Sequence, residues 1–173
     1  MGPFTLATRA LYFGRMGRDS EQFRIFGGNT ELIRGHTSGS YNRNECISGD
    51  LDPTSASSCS AFDQLLGSQI LLGSAELRVP LSQPFGFLPV TFAAFEAAVF
   101  YDIGVGWGDR STLKFSRDPG DSFDLVRAPL QTYGASLRAN LLGFLIMRLD
   151  YSVPRNRPAV KGGLWTLSLG PTF

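Results

Sequence analysis

The sequence predicts an all-β fold, an antiparallel barrel that crosses a membrane, on three observations. Apolar and polar residues alternate with a period of two, the pattern of a half-buried strand. The alternating segments run to about 11 to 18 residues, where a globular strand averages about 5–6 and a bilayer-spanning strand needs about 9–11. The connections between them alternate short and long, as in an outer-membrane meander.

The segments follow in order. The first, roughly Phe4 to Gly14, is the weakest, with Phe4, Leu6, Ala10 and Tyr12 on one parity. In the second, Ala75, Leu77, Val79 and Leu81 face away from Glu76 and Arg78. In the third, Phe95, Ala97, Val99, Tyr101 and Ile103 face away from Glu96, Ala98 and Asp102. Tyr133, Ala135, Leu137, Ala139 and Leu141 then alternate with Gly134, Ser136, Arg138 and Asn140. Leu145, Met147, Leu149, Tyr151 and Val153 alternate with Arg148, Asp150 and Ser152. The last segment sets Trp165, Leu167, Leu169, Pro171 and Phe173 against Thr166, Ser168, Gly170 and Thr172. Short turns are expected at Gln83–Leu88 and Gly143–Phe144, and long polar connections at 26–63, 106–127 and 155–162. Within the second of these, Thr112–Ser116 and Phe123–Arg127 read as a hairpin that lengthens two strands above the membrane.

Composition narrows the classes further. The 173 residues are 43% hydrophobic, 12% aromatic and 18% charged, with a net charge of +1. Near-neutral charge argues against nucleic acid and against a polybasic membrane tether. Gly (20) and Pro (10) form about a sixth of the chain beside 14 Phe, which favours strands and tight turns over helical bundles. One His and two Cys exclude most metal sites built from those residues. No run of 18 apolar residues is present, so no transmembrane helix is expected. The first nine residues have neither a charged n-region before an apolar h-region nor a myristoylation pattern. A soluble antiparallel barrel has the same alternation turned inside out, so periodicity alone leaves that reading open.

Four stretches carry a resemblance. From Phe23 the chain reads Phe-Arg-Ile-Phe-Gly-Gly-Asn-Thr-Glu-Leu-Ile-Arg-Gly-His. Gly73 to Leu81 reads Gly-Ser-Ala-Glu-Leu-Arg-Val-Pro-Leu, and Phe100 to Gly104 reads Phe-Tyr-Asp-Ile-Gly. Arg148 to Pro154 reads Arg-Leu-Asp-Tyr-Ser-Val-Pro and is followed by a short loop and a strand ending in Phe173. In this order over about residues 23–173 they resemble the BamA-type outer-membrane barrels, also called the bacterial surface antigen family. Two departures stand out: His36 occupies the place of an aromatic at the loop tip, and only six strands are present where the family's barrel has sixteen. Six strands cannot close around a filled interior, and open edges cannot face lipid. The chain is therefore expected to be the C-terminal part of a sixteen-stranded barrel, or to close with other copies, and not to fold alone as a stable monomer.

The resemblance implies a site. Residues 25–63 become a long loop of the lumen or outer surface carrying the Arg34-Gly35 motif, and Arg34 is expected to lock against an acidic inner-wall residue. Glu76, Glu96 and Asp102 share the inward parity. Glu96 and Asp102 are roughly 20 Å apart at ~3.3 Å per residue, so Arg34 cannot meet both, and the family pattern favours Asp102. Strand arithmetic sets Glu76 near Glu96 across a hairpin, with Arg78, Arg138 or Arg148 as their partners. Trp165, Leu167, Leu169 and terminal Phe173 resemble the C-terminal signal read by the barrel-assembly machinery. Trp165, Tyr151, Phe144 and Phe173 fit an interfacial aromatic girdle.

Cys46 and Cys59 lie in the long loop among Ser, Asn and Asp. In an oxidising compartment they can close a disulfide worth roughly 3 kcal/mol in the chain-entropy model, with two free thiols as the other reading. Gly104, Gly106 and Gly108 are not followed by a helical pattern, so they read as small residues at a bend or loop start and not as a phosphate loop. No nucleophile, metal site or cofactor loop is found, and Gly35 to Gly39 is not a nucleophile elbow. The implied function is insertion or translocation of proteins at the bacterial outer membrane, without covalent chemistry. Implied partners are outer-membrane lipid, the assembly machinery, client outer-membrane proteins, and the rest of the barrel or further copies. Two other readings stand beside it: a passive anchor or pore for a soluble propeller or hydrolase domain, and a soluble ligand-binding barrel.

Overall fold

The computed structural model describes residues 4–41, 62, 64–81, 93–108, 112–113, 126–141, 145–155, 157 and 160–171. Ten strands follow one another: β1 (Thr5–Gly14), β2 (Ile25–Phe26), β3 (Leu66–Gly67), β4 (Gln69–Pro80), β5 (Ala93–Trp107), β6 (Thr112–Leu113), β7 (Val126–Arg127), β8 (Leu130–Leu141), β9 (Leu145–Pro154) and β10 (Leu164–Pro171). The six long ones form one antiparallel sheet in the order β1-β4-β5-β8-β9-β10. They correspond to the six alternating segments but are shorter, from 8 residues in β10 to 15 in β5. The sheet is open, with β1 and β10 as its edges. Residues of both edges, Arg9 of β1 and Ser168 of β10, line one cavity of about 630 Å³. The sheet therefore curls around its polar face.

The two faces are the reverse of a soluble protein's. Leu6, Leu77, Val99, Tyr101, Tyr133, Leu137, Leu149, Trp165, Leu167 and Leu169 are all exposed. Glu76, Asp102, Thr132, Ser136, Asp150 and Ser152 are buried on the opposite parity. Register makes the outer face continuous: Trp165 lies opposite Tyr151, Tyr151 opposite Ala135, Ala135 opposite Val99, and Val99 opposite Leu77. An unbroken apolar exterior over a polar interior is the arrangement of a wall facing lipid. The soluble-barrel reading needs the opposite.

Three expectations are refined or corrected. The register of β4 with β5 places Glu76 opposite Phe100 and Pro80 opposite Glu96, so the two glutamates are not directly opposite, but they are near enough to share Arg78 and Arg138 as expected. The turn expected at Gln83–Leu88 lies outside the described residues. The segments around Thr112 and Val126 do not form a hairpin, because β6 and β7 pair in parallel over two residues each. Gly104 and Gly106 lie in the last four residues of β5, at the approach to the loop start and not at a bend. A Cβ on Gly106 would stand 2.9 Å from the Leu65 carbonyl carbon and one on Gly104 3.2 Å from Ile33 Cδ1. Their lack of a side chain lets the long loop lie directly on the strand.

That loop supplies the small apolar core. Ile33, Leu65, Ile70, Leu72 and Leu130 are fully or almost fully buried, with Leu11, Ile25, Phe26, Leu32 and Tyr41 packed around them. Main-chain bonds from Gly27 N to Leu65 O (2.9 Å) and from Gly106 N to Gln64 O (2.6 Å) tie the loop's two ends to each other and to β5. Cys46, Cys59, Phe144 and Phe173, and with them the disulfide and part of the girdle, lie outside the described residues. Tyr151 and Trp165, two of the residues expected in that girdle, have ring centroids 4.9 Å apart.

Candidate functional site: the loop seated on the polar face

A single helical turn aims the motif. The Asn29 side chain accepts from Glu31 N at 3.1 Å, an Asx turn. The Asn29 carbonyl accepts from Leu32 N and Ile33 N at 2.9 and 2.8 Å. The turn drops Ile33 into the core and points the next residue, Arg34, at the wall.

Arg34 is 5% exposed. Its Nε donates to Asp102 Oδ2 and its Nη2 to Asp102 Oδ1, both at 2.7 Å. Its main-chain amide donates to the same Oδ2 at 3.1 Å. This is the forked geometry for which guanidinium and carboxylate match best. Ser74 completes it, donating to Asp102 Oδ1 at 2.7 Å and accepting from Arg34 Nη2 at 3.2 Å. The Phe100 ring lies 3.5 Å from the guanidinium carbon, a cation–π contact in a desolvated place. Burial works against the charge, but the hydrogen bond and attraction of Asp102, with Glu76 and Asp150, outweigh it and hold Arg34's pKa above the ordinary guanidinium value.

Glu76 belongs to this cluster and also shares Arg78 and Arg138 with Glu96. Its carboxylate lies 2.7 Å from Arg34 Nη1, 2.8 Å from Arg78 Nη2 and 2.7 Å from Arg138 Nη2. Glu96 stands further out, 3.8 Å from Arg78 and 3.6 Å from Arg138. Arg148 serves neither glutamate of the wall. It pairs with Asp150 at 2.8 Å and reaches the loop at Glu31, 2.9 Å away.

Gly35 has φ +79, and a Cβ there would stand 3.1 Å from Ser152 Oγ. Both the left-handed backbone and the space favour glycine. Gly35→Ala is expected to destabilise the folded barrel by roughly 1–2 kcal/mol, read as a lower urea midpoint with an unchanged slope.

Several clamps carried no signal in the sequence. Arg9 of β1 donates to the main-chain carbonyls of Glu31 and Leu32. Arg157, 2% exposed, binds the carbonyls of Gly35 and Ser40. His36 contacts the Tyr41 hydroxyl through Nδ1 at 3.1 Å, so the residue replacing the loop-tip aromatic is itself buried and bonded. The only readable hint was the count of charged residues on the polar parity, which exceeds what one ion pair needs. Trp165, Leu167 and Leu169 all point outward on β10, 68%, 63% and 63% exposed, and Phe173 lies outside the described residues.

A lipid-facing sheet whose polar side is crossed by an arginine-anchored loop defines the class: a section of an outer-membrane β-barrel wall. The Omp85 superfamily domain matches residues 6–173, nearly the whole chain, and the chain belongs to that superfamily of bacterial outer-membrane proteins concerned with protein insertion and translocation. No curated protein and no solved structure matches it.

Proposed function

We propose that residues 1–173 are one section, the C-terminal one, of a BamA-type barrel that inserts or translocates other proteins at the outer membrane. In this reading residues 25–63 are its lumen loop, and Arg34 with Gly35 locks that loop against Asp102 and Glu76. Trp165, Leu167, Leu169 and Phe173 act as the strand signal for the barrel-assembly machinery, and client outer-membrane proteins are the partners. The role is structural and conformational, without covalent chemistry.

The observation that carries this reading is the buried ion-pair cluster around Arg34, which fastens a loop across the polar face of the wall. A passive pore works best with an open lumen. Burying Arg34, Glu76 and Asp102 together to hold a loop there is costly to assemble, and a mere anchor has no use for it. The test is depletion of the protein from the cells that make it, with quantitative proteomics of their outer membrane. Depletion is expected to lower a set of other outer-membrane or secreted proteins severalfold. Wild type restores them, and Arg34→Ala restores them only in part. If depletion changes no other outer-membrane or secreted protein, the anchor reading replaces this one.

A further inference from the structure

Beyond Arg34, the loop touches the start of an edge strand by two routes. The first is Arg157, in the connection from β9 to β10. Its Nη1 donates to Gly35 O at 2.6 Å and Ser40 Oγ at 2.9 Å, and its Nη2 to Ser40 O at 2.7 Å. Its guanidinium carbon lies 4.1 Å from the centre of the Tyr41 ring. Its own carbonyl accepts from Val160 N at 3.0 Å, the turn that leads the chain toward β10.

The second route runs through Gly35 itself. The residue lies against the Ser152 side chain. Ser152 Oγ donates to Leu164 O at 3.2 Å, and Ser152 is the register partner of Leu164, the first residue of β10. Thus Arg34 faces β4 and β5 while the next residue faces the β9–β10 junction. One peptide joins the centre of the wall to its edge.

Among the described residues β10 pairs with β9 alone. A strand with one ladder frays from its ends at low free-energy cost, so contacts at its first residues weigh more than they would in the sheet's interior. We infer that Arg157 is a positioning residue that couples the seat of the loop to the leading end of β10. With the loop seated, Gly35 and Ser40 hold the Arg157 fork and thereby the connection that starts the strand. With the loop released, that fork loses its acceptors and the first residues of β10 loosen. The inference does not depend on which proteins the barrel handles.

The test is hydrogen exchange on the intact barrel in lipid nanodiscs, with heat-modifiable migration confirming that each variant is folded. Arg157→Ala is expected to speed exchange roughly tenfold both at 35–41 and at the β9-bonded amides of 164–167, the scale of losing a hydrogen bond to a charged group. Arg157→Lys keeps the charge but not the fork, and should give a smaller rise at the same two places. Coupling is reciprocal, so Arg34→Ala, made at the centre of the wall, should also speed 164–167. Exposed Lys161→Ala in the same connection should move neither region. The inference is overturned if Arg157→Ala speeds the loop but leaves 164–167 at the wild-type rate, if it moves neither, or if Arg34→Ala frees the loop without any change in β10.

Discussion

Arg34→Ala is expected to be the most damaging single substitution in this chain, lowering the stability of the seated loop by about 3–5 kcal/mol, the range for removing one partner of a buried ion pair. The size follows from what stays behind. Asp102 is 1% exposed. Without Arg34's side chain it retains only the Ser74 hydroxyl and one main-chain amide. Glu76 suffers less, because Arg78 and Arg138 remain at 2.8 and 2.7 Å. The reverse deletion, Asp102→Ala, should therefore cost less, since Arg34 keeps Glu76 at 2.7 Å. Arg34→Lys should fall between wild type and Arg34→Ala, because an ammonium cannot hold both Asp102 oxygens. Removing Arg34 and Asp102 together should cost less than the sum of the two single changes, by roughly 0.5–3 kcal/mol. Urea unfolding of the reconstituted barrel gives all four values. Strict additivity would mean that the two side chains do not act as a unit, and the lock would have to be placed elsewhere, with Arg9, Arg148 or Arg157.

The legibility of this chain depended on which physical rule governed each part. Strand parity was readable because both faces are chemically uniform: Leu77, Val99 and Leu137 on one side, Glu76, Asp102 and Ser136 on the other. Which face met water was not readable from period alone, and only burial decides it. The motif resemblance pointed at Arg34 and Asp102, and the structure brings them together. Exact register was not readable, because alternation fixes the face of a residue and not its partner, so Glu76 faces Phe100 while meeting Glu96 only through the shared Arg78 and Arg138. Arg157 was silent for a different reason. It lies in an irregular connection, where no periodicity marks a residue as inward, and its partners are main-chain carbonyls that any sequence supplies. Gly104 and Gly106 looked like punctuation, although the feature they serve is a loop from forty residues upstream lying on the strand.

Leu137→Arg is expected to cost about 2–4 kcal/mol in a bilayer, the range for arginine at the midplane of a barrel's lipid face. Leu137 is 42% exposed on the outer face, in the second half of β8, between Ala97 and Leu149. Tyr133 lies on the same strand and face, 48% exposed. Four residues at ~3.3 Å each on a strand tilted by ~40° correspond to roughly 10 Å of depth, which puts Tyr133 near the edge of an apolar band about 25 Å tall. Tyr133→Arg should accordingly cost only about 0–1 kcal/mol. The comparison holds chemistry, strand and face constant and varies depth alone. A wall that spans the bilayer gives a steep difference between the two positions when unfolding is measured in lipid, and the difference should shrink in urea-compatible detergent too short to form a thick apolar band. If both substitutions cost the same few tenths of a kcal/mol, this face meets water, and its unbroken run of leucines, valines and aromatics must be covered by protein instead of lipid. A slope with depth assigns the exposed apolar face to the membrane, and the buried charges of the other face then follow: with lipid outside, the interior is the only place where Arg34 and its carboxylates can be solvated by one another.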